Sequence, residues 1–485
     1  MGEVKYMESI WSKTTELHPR KPLPGSMQTE TAVIGGGLAG LLTAYFLQQR
    51  GVKTIVLEAS RIGSGQTKNT TAKITSQHGL IYHKLLQTLG EEPARQYAQA
   101  NQQAIDAYRS LIREKKIDCQ FEECPAYLYS TVEAEPLEQE AEAARLFDID
   151  ARFTTRTSLP FSVAGAVRFS GQAQFHPLAF LQEIADELEI YEETRVTKVE
   201  DDRIFTDRGT VTARNIVFAT HYPFLNFPGY YFLRQHQERS YVLALENAMK
   251  LDGMYLGIDE NGLSFRNSGK YLLLGGGSHR TGENRTGGKY EMLRRYAEQF
   301  WPESREAAYW SAQDCMTLDG VPYIGQFSVS TPHWFVATGF QKWGMTTSMA
   351  AAQLLTDLIT GVENPCEEVF SPLRFTPAAS AKTFLQEGLH AVRDLSRQAF
   401  APPRAEIDAL PTGHGGVVSC EGEKVGVYKD EQGEVYMVST RCPHLGCQLE
   451  WNPDEKSWDC PCHGSRFDYR GNLIDNPAQE GLPHA

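Results

Sequence analysis

Between Thr29 and Glu58 the chain changes its hydrophobic period twice. Thr29 to Ile34 is a short apolar stretch of strand length. From Leu38 to Gln49 the residues Leu38, Leu41, Leu42, Tyr45 and Phe46 fall at i, i+3, i+4, i+7 and i+8, which predicts a helix with one buried face. Gly51 stops that helix and Lys53 to Glu58 supplies a second strand, so a βαβ unit opens the chain. Further on, short strands such as Val196–Val199 and Val211–Ala219 mix with helices, and Met349 to Ile359 predicts another apolar helix. After Phe375 the pattern breaks. Thr376-Pro377-Ala378-Ala379-Ser380, an amphipathic stretch ending near Ser396 and Ala401-Pro402-Pro403 predict a linker with a helix over 376–403. From Arg404 onward, strands punctuated by glycine predict a small all-β domain. The expected division is 1–375, 376–403 and 404–485.

Composition narrows this picture. A chain of 485 residues is too long for one ordinary core, so more than one domain is expected. Hydrophobic residues at 41% and charged residues at 22% exclude a disordered chain. A net charge of −14 argues against non-specific binding to nucleic acid or to acidic membrane surfaces. No apolar run approaches bilayer-spanning length. Met1 to Ser26 is polar, without the apolar stretch of a secretory signal or a Tat-type signal, so a cytoplasmic location is expected.

The first chemistry-bearing motif lies at the strand-to-helix turn, Ile34-Gly35-Gly36-Gly37-Leu38-Ala39-Gly40. Gly35, Gly37 and Gly40 give G-x-G-x-x-G. The first makes the tight turn, the second lets a pyrophosphate approach the backbone, and the third lets helix and strand pack closely. The helix start beyond faces the phosphates with unpaired N–H groups and the positive end of its dipole. Glu58, 18 residues after Gly40 at the end of the next strand, is placed to accept both ribose hydroxyls. In that context the motif predicts a dinucleotide.

The second is a cysteine cluster. Cys119, Cys124, Cys315, Cys366 and Cys420 are scattered, as small buried hydrophobes are. Cys442, Cys447, Cys460 and Cys462 crowd together with His444 and His463, which reads as a metal site. Cys442-Pro443-His444 and Cys460-Pro461-Cys462-His463 give C-x-H and then C-x-x-H. Two thiolates and two imidazoles suit a Rieske [2Fe–2S] cluster, with Cys442 and Cys460 on one iron and His444 and His463 on the other. Zinc also takes two Cys and two His, but C-x-H is unusual spacing for it.

Resemblance to known families extends both readings. Arg61-Ile62-Gly63-Ser64-Gly65-Gln66-Thr67 resembles the second flavin-contact loop of the D-amino acid oxidase and glycine oxidase family. Asn215-Ile216-Val217-Phe218-Ala219-Thr220 is similar to its late strand near the adenine half. Thr317-Leu318-Asp319-Gly320-Val321-Pro322-Tyr323-Ile324-Gly325 matches its T-x-D-G-x-P-x-I-G signature, and Ala337-Thr338-Gly339-Phe340 with Gly344 matches the turn before the flavin-facing helix. The resemblance implies FAD, a Rossmann-like α/β domain built from discontinuous segments, and an α+β substrate domain with an antiparallel sheet. It implies cofactor contacts from Gly35, Gly37, Leu38, Ala39, Gly40, Glu58, Ala59, Arg61, Gly65, Thr67, Val199, Ala219, Thr220, Asp319, Gly339, Gly344 and Met345. No second G-x-G-x-x-G follows mid-chain. Gly275-Gly276-Gly277 has Arg280 where the third glycine belongs, which disfavours NAD(P)H as donor.

Cys442-Pro443-His444-Leu445-Gly446-Cys447, Cys460-Pro461-Cys462-His463-Gly464-Ser465 and Asn476-Pro477-Ala478 resemble the two cluster loops and the proline loop of a C-terminal all-β Rieske domain. That resemblance implies a disulfide between Cys447 and Cys462, against two free thiols in a reducing compartment, and a cluster hydrogen bond from Ser465. Phe467 stands where high-potential members carry a donating tyrosine, so an intermediate potential is expected. Asn476 replaces a more usual glycine and only seven residues follow Ala478, which leaves the closure of the last strand open.

Amino-acid oxidases of the flavin family hold the substrate carboxylate with an arginine, often just upstream of the T-x-D segment. Trp310-Ser311-Ala312-Gln313-Asp314 offers none, and Tyr241, His279, Arg280, Lys342 and Trp343 are the remaining catalytic candidates. Cys315 sits at a spacing different from that of the cysteine some sarcosine-oxidising relatives use for covalent flavin. The expected function is an FAD-dependent amine or amino-acid-like dehydrogenase passing electrons through the cluster to an external one-electron acceptor protein. The alternatives are a relay working in the opposite direction and a non-catalytic redox sensor.

Overall fold

Met27–Ile34 pairs in parallel with Thr54–Leu57 on one side and Thr210–Phe218 on the other, which makes it the central strand of an eight-stranded sheet. Glu189–Tyr191 extends the parallel run beyond Thr54–Leu57, and Thr331–Thr338 extends it beyond Thr210–Phe218. A parallel sheet is covered on both faces, so its strands read as unbroken apolar runs. Val33, Val56 and Val217 pack on one face with the helices Leu38–Gln49 and Gly344–Thr360, while Ala32, Ile55 and Ile216 pack on the other. The predicted βαβ start is therefore present in the computed structural model, which describes residues 7–374, 410–420 and 423–483. The linker expected over 376–403 and the boundary expected at Arg404 lie outside the described residues.

The helix predicted from Met349 begins five residues earlier, at Gly344. Thr346, Thr347 and Ser348 interrupt the apolar period, yet all three are buried. Two of the hydroxyls find partners inside the fold: Thr346 donates to the Thr75 carbonyl at 2.9 Å and Ser348 to that of Gly344 at 2.5 Å. Hydroxyls satisfied in this way are invisible to a hydrophobic pattern.

A second eight-stranded sheet begins at one edge with Arg305–Thr317, then Gln235–Glu246, Tyr271–Arg280, Ser264–Ser268 and Met254–Gly257. All its pairings are antiparallel except that of Met254–Gly257 with Ala126–Ser130. Alternation along Gln235–Glu246 splits its residues between two cores. Tyr241, Leu243 and Leu245 pack against the Lys289–Phe300 helix, and Val242 and Ala244 face the nucleotide-binding half.

The last part of the chain is all-β. His414–Cys420, Glu423–Lys429 and Val435–Ser439 form one antiparallel sheet. Glu450–Asn452, Ser457–Asp459, Arg466–Asp468 and Leu473–Asp475 form another. Gly426 is required beneath Trp458, because a Cβ there would lie 2.8 Å from the indole. This β domain packs directly on the antiparallel sheet. Glu455, with no side-chain exposure, pairs with Arg239, Ser311 and Arg466. Among the described residues no helix is long and apolar enough to cross a membrane.

Candidate functional site

A cavity of about 820 Å³ runs from the Gly35–Gly37 turn to the antiparallel sheet and is closed in part by the β domain. At the turn, Gly35 has φ +112° and a Cβ there would lie 2.4 Å from the Ala219 carbonyl oxygen. A Cβ on Gly40 would lie 2.0 Å from the Gly35 carbonyl, so the third glycine serves helix–strand packing. Gly37 caps the helix without a side chain, and a Cβ on it would intrude towards the Thr67 hydroxyl at 3.4 Å. The donor set suits a dinucleotide: a glycine-lined turn, a helix start and an acid at the next strand end, all bordering one cavity. Glu58 is held there by N–H bonds from Gly36 at 2.7 Å and Ser60 at 2.8 Å, and burial pushes its carboxyl up despite them.

Leu38, Ala39, Ala59, Arg61, Gly65, Thr67, Ala219, Thr220, Gly344 and Met345 also border this cavity. Thr67 accepts from the Leu38 N–H at 3.1 Å and so couples the two cofactor loops. Four expected contacts do not border it: Gly40, which serves the packing just described, and three more. Val199 is buried in the second core, and Val196 of the same strand borders the cavity instead. Asp319 is buried in an ion pair with Arg374 at 2.9 Å, which ties down the chain after the last helix. Gly339 turns away with φ +72° against Thr317, leaving Ala337 and Phe340 on the wall.

The catalytic candidates separate in the same way. His279 and Arg280 lie off the wall. The His279 ring meets the Tyr241 hydroxyl at 3.0 Å, and Arg280 donates to the Pro461 carbonyl at 3.1 Å. Tyr241 borders the cavity, but its hydroxyl is engaged by His279, Asn284 and Glu455. Lys342 remains on the wall, held between Glu238 at 3.2 Å and Asp314 at 3.4 Å, and these carboxylates outweigh the cost of burial and raise its pKa. Trp343 borders the cavity too and stacks on His78 at 4.7 Å. The Cys315 thiol is buried against Gln235 and off the wall, away from any flavin attachment there.

At the second motif Cys442 and Cys460 are buried free thiols in hydrogen-bond contact with each other. The His444 and His463 rings meet edge to face with centroids 4.9 Å apart. Burial lowers both imidazoles, to about 4 and about 3, so both are neutral, as ligands must be. Their Nδ1 atoms are buried without a partner. Two thiols and two orphaned imidazole nitrogens fit a Cys₂His₂ cluster held through Nδ1. Cys447 and Cys462 are joined as a disulfide across the two loops. The sulfurs of Cys447, Cys460 and Cys462 lie within 4.8 Å of one another, but two of these three belong to that disulfide, so they do not make a separate site. Ser465 is fully buried and accepts from the Ala478 N–H at 2.9 Å, which leaves its own proton for the cluster side.

Sequence reasoning missed the residues that join the two sites. The Gln313 N–H donates to Gln66 Oε1 at 2.8 Å, and its side chain donates to the Gly464 carbonyl at 2.9 Å. Gln237 donates to the His463 carbonyl at 2.7 Å, and Asn476 donates to the Thr220 and Tyr222 carbonyls at 2.9 Å each. His444 donates through Nε2 to Asn226 at 2.6 Å. The His221 ring, on the cavity wall, has a buried Nε2 with no partner. Isolated glutamines and asparagines carry no sequence signal. Gln66 in the flavin-contact loop, Asn476 in the proline loop and His221, directly after the Ala219-Thr220 strand end, lay within or beside a motif.

Comparison with known proteins agrees with both motifs. The model of the FAD dependent oxidoreductase family (DAO) matches residues 30–358, and that of the Rieske [2Fe-2S] domain matches 402–485. The Rieske 2Fe-2S iron-sulfur protein YhfW of Bacillus subtilis (strain 168) is 36% identical over 98% of this chain and 97% of its own. The cytochrome b6-f complex iron-sulfur subunit 2 of Trichormus variabilis is 44% identical over 9% of this chain and 25% of its own. Among solved structures, glycine oxidase from Geobacillus kaustophilus aligns with TM-score 0.61 and 21% identity over 72% of this chain and 99% of its own. L-proline dehydrogenase from P. horikoshii aligns with TM-score 0.60 and 17% identity over 73% of this chain and 98% of its own. With the two motifs, their geometry and these matches in agreement, the chain belongs to the FAD dependent oxidoreductase family and carries a Rieske [2Fe–2S] domain as its second redox centre.

Proposed function

We propose that this oxidoreductase dehydrogenates an amine or amino-acid-like substrate and delivers the electrons through its Rieske domain to an external one-electron acceptor. The observation that carries this reading is Gln313, one residue bonded both to the flavin-side turn at Gln66 and to the second cluster loop at Gly464. That link supports electron exchange between the cluster loop and the flavin side of the same chain. When bound, FAD accepts a hydride and the cluster carries single electrons.

The chain's own residues supply position and exclusion. Gly35, Gly37 and Glu58 receive the dinucleotide. Trp310 is fixed by its indole N–H to the Asn69 carbonyl at 2.9 Å and stands on the cavity wall with Val242 and Leu256, where apolar side chains keep water out. Gln237, Arg280 and Asn476 hold the second cluster loop and the proline loop. The substrate class draws support from structural neighbours whose names denote work on amino acids, among them glycine oxidase, L-proline dehydrogenase and an L-amino acid deaminase from Proteus vulgaris.

The test is anaerobic mixing with a panel of amines and amino acids and, separately, with NADH, followed at the flavin and cluster bands. Bleaching by an amine, with cluster reduction lagging the flavin, supports the proposal. Bleaching by NADH or a reduced protein alone reverses the direction of flow, and no bleaching by any donor leaves a sensor.

A further inference from the structure

The strand Thr210–Phe218 runs into a segment that touches both redox sites. Ala219, Thr220 and His221 border the dinucleotide cavity. Asn476 of the proline loop holds the carbonyls of Thr220 and Tyr222 at 2.9 Å each. Phe224 and Tyr231 then enter the core that holds Ala32, Ile55 and Ile216, and the Tyr231 hydroxyl donates to the Phe327 carbonyl at 2.8 Å. Gly229 permits the bend between these anchors: its φ is +102°, and a Cβ there would lie 2.7 Å from the Tyr231 ring.

Beside the two anchors the segment meets the cluster ligands. Asn226 Oδ1 accepts from His444 Nε2 at 2.6 Å. The Phe232 carbonyl hydrogen-bonds the His463 imidazole, and the Phe232 ring meets that imidazole edge-on with centroids 5.9 Å apart. Both acceptors belong to the flavoprotein half and not to the Rieske domain.

An imidazole that ligates iron through Nδ1 carries its proton on Nε2, so Asn226 must present its oxygen there. Oxidised iron draws electron density from the ring and makes that N–H a stronger donor. The accepted bond is therefore worth more in the oxidised state than in the reduced one. A carbonyl oxygen in this place also raises the basicity of the ligand and fixes the orientation of its ring.

We propose that Asn226 and the Phe232 carbonyl are positioning groups for the cluster, through which the flavoprotein half lowers the reduction potential of its own Rieske centre. That potential is then a property of the docked pair, and the segment that sets it begins on the wall of the dinucleotide cavity. The effect is the same for either direction of electron flow.

The experiment is a redox titration of the full chain carrying flavin and cluster, read from the Rieske EPR signal. Asn226→Leu removes an acceptor and should shift the reduction equilibrium of the cluster upward by up to about tenfold, which is ~59 mV for one electron. Asn226→Asp supplies a stronger acceptor and should shift it downward. A side chain that only fills space would move neither midpoint, or both alike. Pulsed EPR separates the hydrogen bond from a mere change of charge. The exchangeable proton of the His444 imidazole should keep its hydrogen-bonded coupling in wild type and Asn226→Asp and lose it in Asn226→Leu. Midpoints unchanged in both variants, or displaced in the same direction, overturn the proposal, as does one proton coupling common to all three proteins. If Asn226→Leu assembles no cluster, Asn226→Asp decides alone: a lower midpoint with the coupling kept supports the proposal, and an unchanged or higher one overturns it.

Discussion

Replacing Glu455 by Gln tests whether the Rieske domain is fastened to the flavoprotein as the geometry describes. Glu455, Arg239 and Arg466 keep 0%, 2% and 4% of their side-chain surface. Removing one partner of a buried pair costs about 3–5 kcal/mol. Here Asp475 remains 3.8 Å from Arg239 and 3.0 Å from Arg466, and Asp459 stays 3.0 Å from Arg466, so the loss belongs at the lower end. The cross-domain part is isolated by a double-mutant cycle of Glu455→Gln with Arg239→Met, for which contacting residues give about 0.5–3 kcal/mol of coupling. We expect about 2 kcal/mol, read from urea unfolding of the Rieske domain in the full chain by its visible circular dichroism. A domain undocked in solution would not feel Arg239→Met at all, and coupling below about 0.5 kcal/mol refutes the docked arrangement. The sign with pH follows. Burial pushes the Glu455 carboxyl up, but Arg239 and Arg466 outweigh it and bring it to about 2. The contribution is therefore fully present above the unfolded value near ~4.3 and is lost as pH falls towards 2.

Three further outcomes are expected. His463→Ala should abolish the Rieske EPR signal, keep the flavin band and lose turnover with a one-electron acceptor; turnover equal to wild type with the native acceptor would take the cluster off the path. Phe467→Tyr should raise the cluster midpoint within the roughly −150 to +300 mV Rieske range, and an unchanged midpoint in a variant whose crystal structure shows the new hydroxyl bonded to the cluster rejects that reasoning. A Cβ on Gly282 would lie 2.7 Å from the Pro461 nitrogen at φ +83°, so Gly282→Ala should slow flavin-to-cluster transfer in stopped flow while leaving flavin reduction by substrate intact.

The sequence by itself determined the two redox centres, because each is written in local spacing. G-x-G-x-x-G between a strand and a helix has few physical uses, and C-x-H with C-x-x-H carries its ligand count in the chain. The bounds of the Leu38–Gln49 helix were legible from helical spacing, although Ala39, Gly40, Thr43, Ala44 and Leu47 are buried beyond the one face expected. The Gly344 start was not, because Thr346 and Ser348 are buried by satisfied hydroxyls and break the apolar period. Only the tertiary structure decided which side chains meet. His279 and Arg280 looked like active-site residues, but a strand sends neighbours to opposite faces: Arg280 bonds the Pro461 carbonyl of the Rieske domain, and His279 meets the Tyr241 hydroxyl off the cavity wall. Gln66, Gln237 and Gln313 are far apart in sequence, and their amides acquire meaning only when the Arg305–Thr317 and Gln235–Glu246 strands pair in register beneath the second cluster loop.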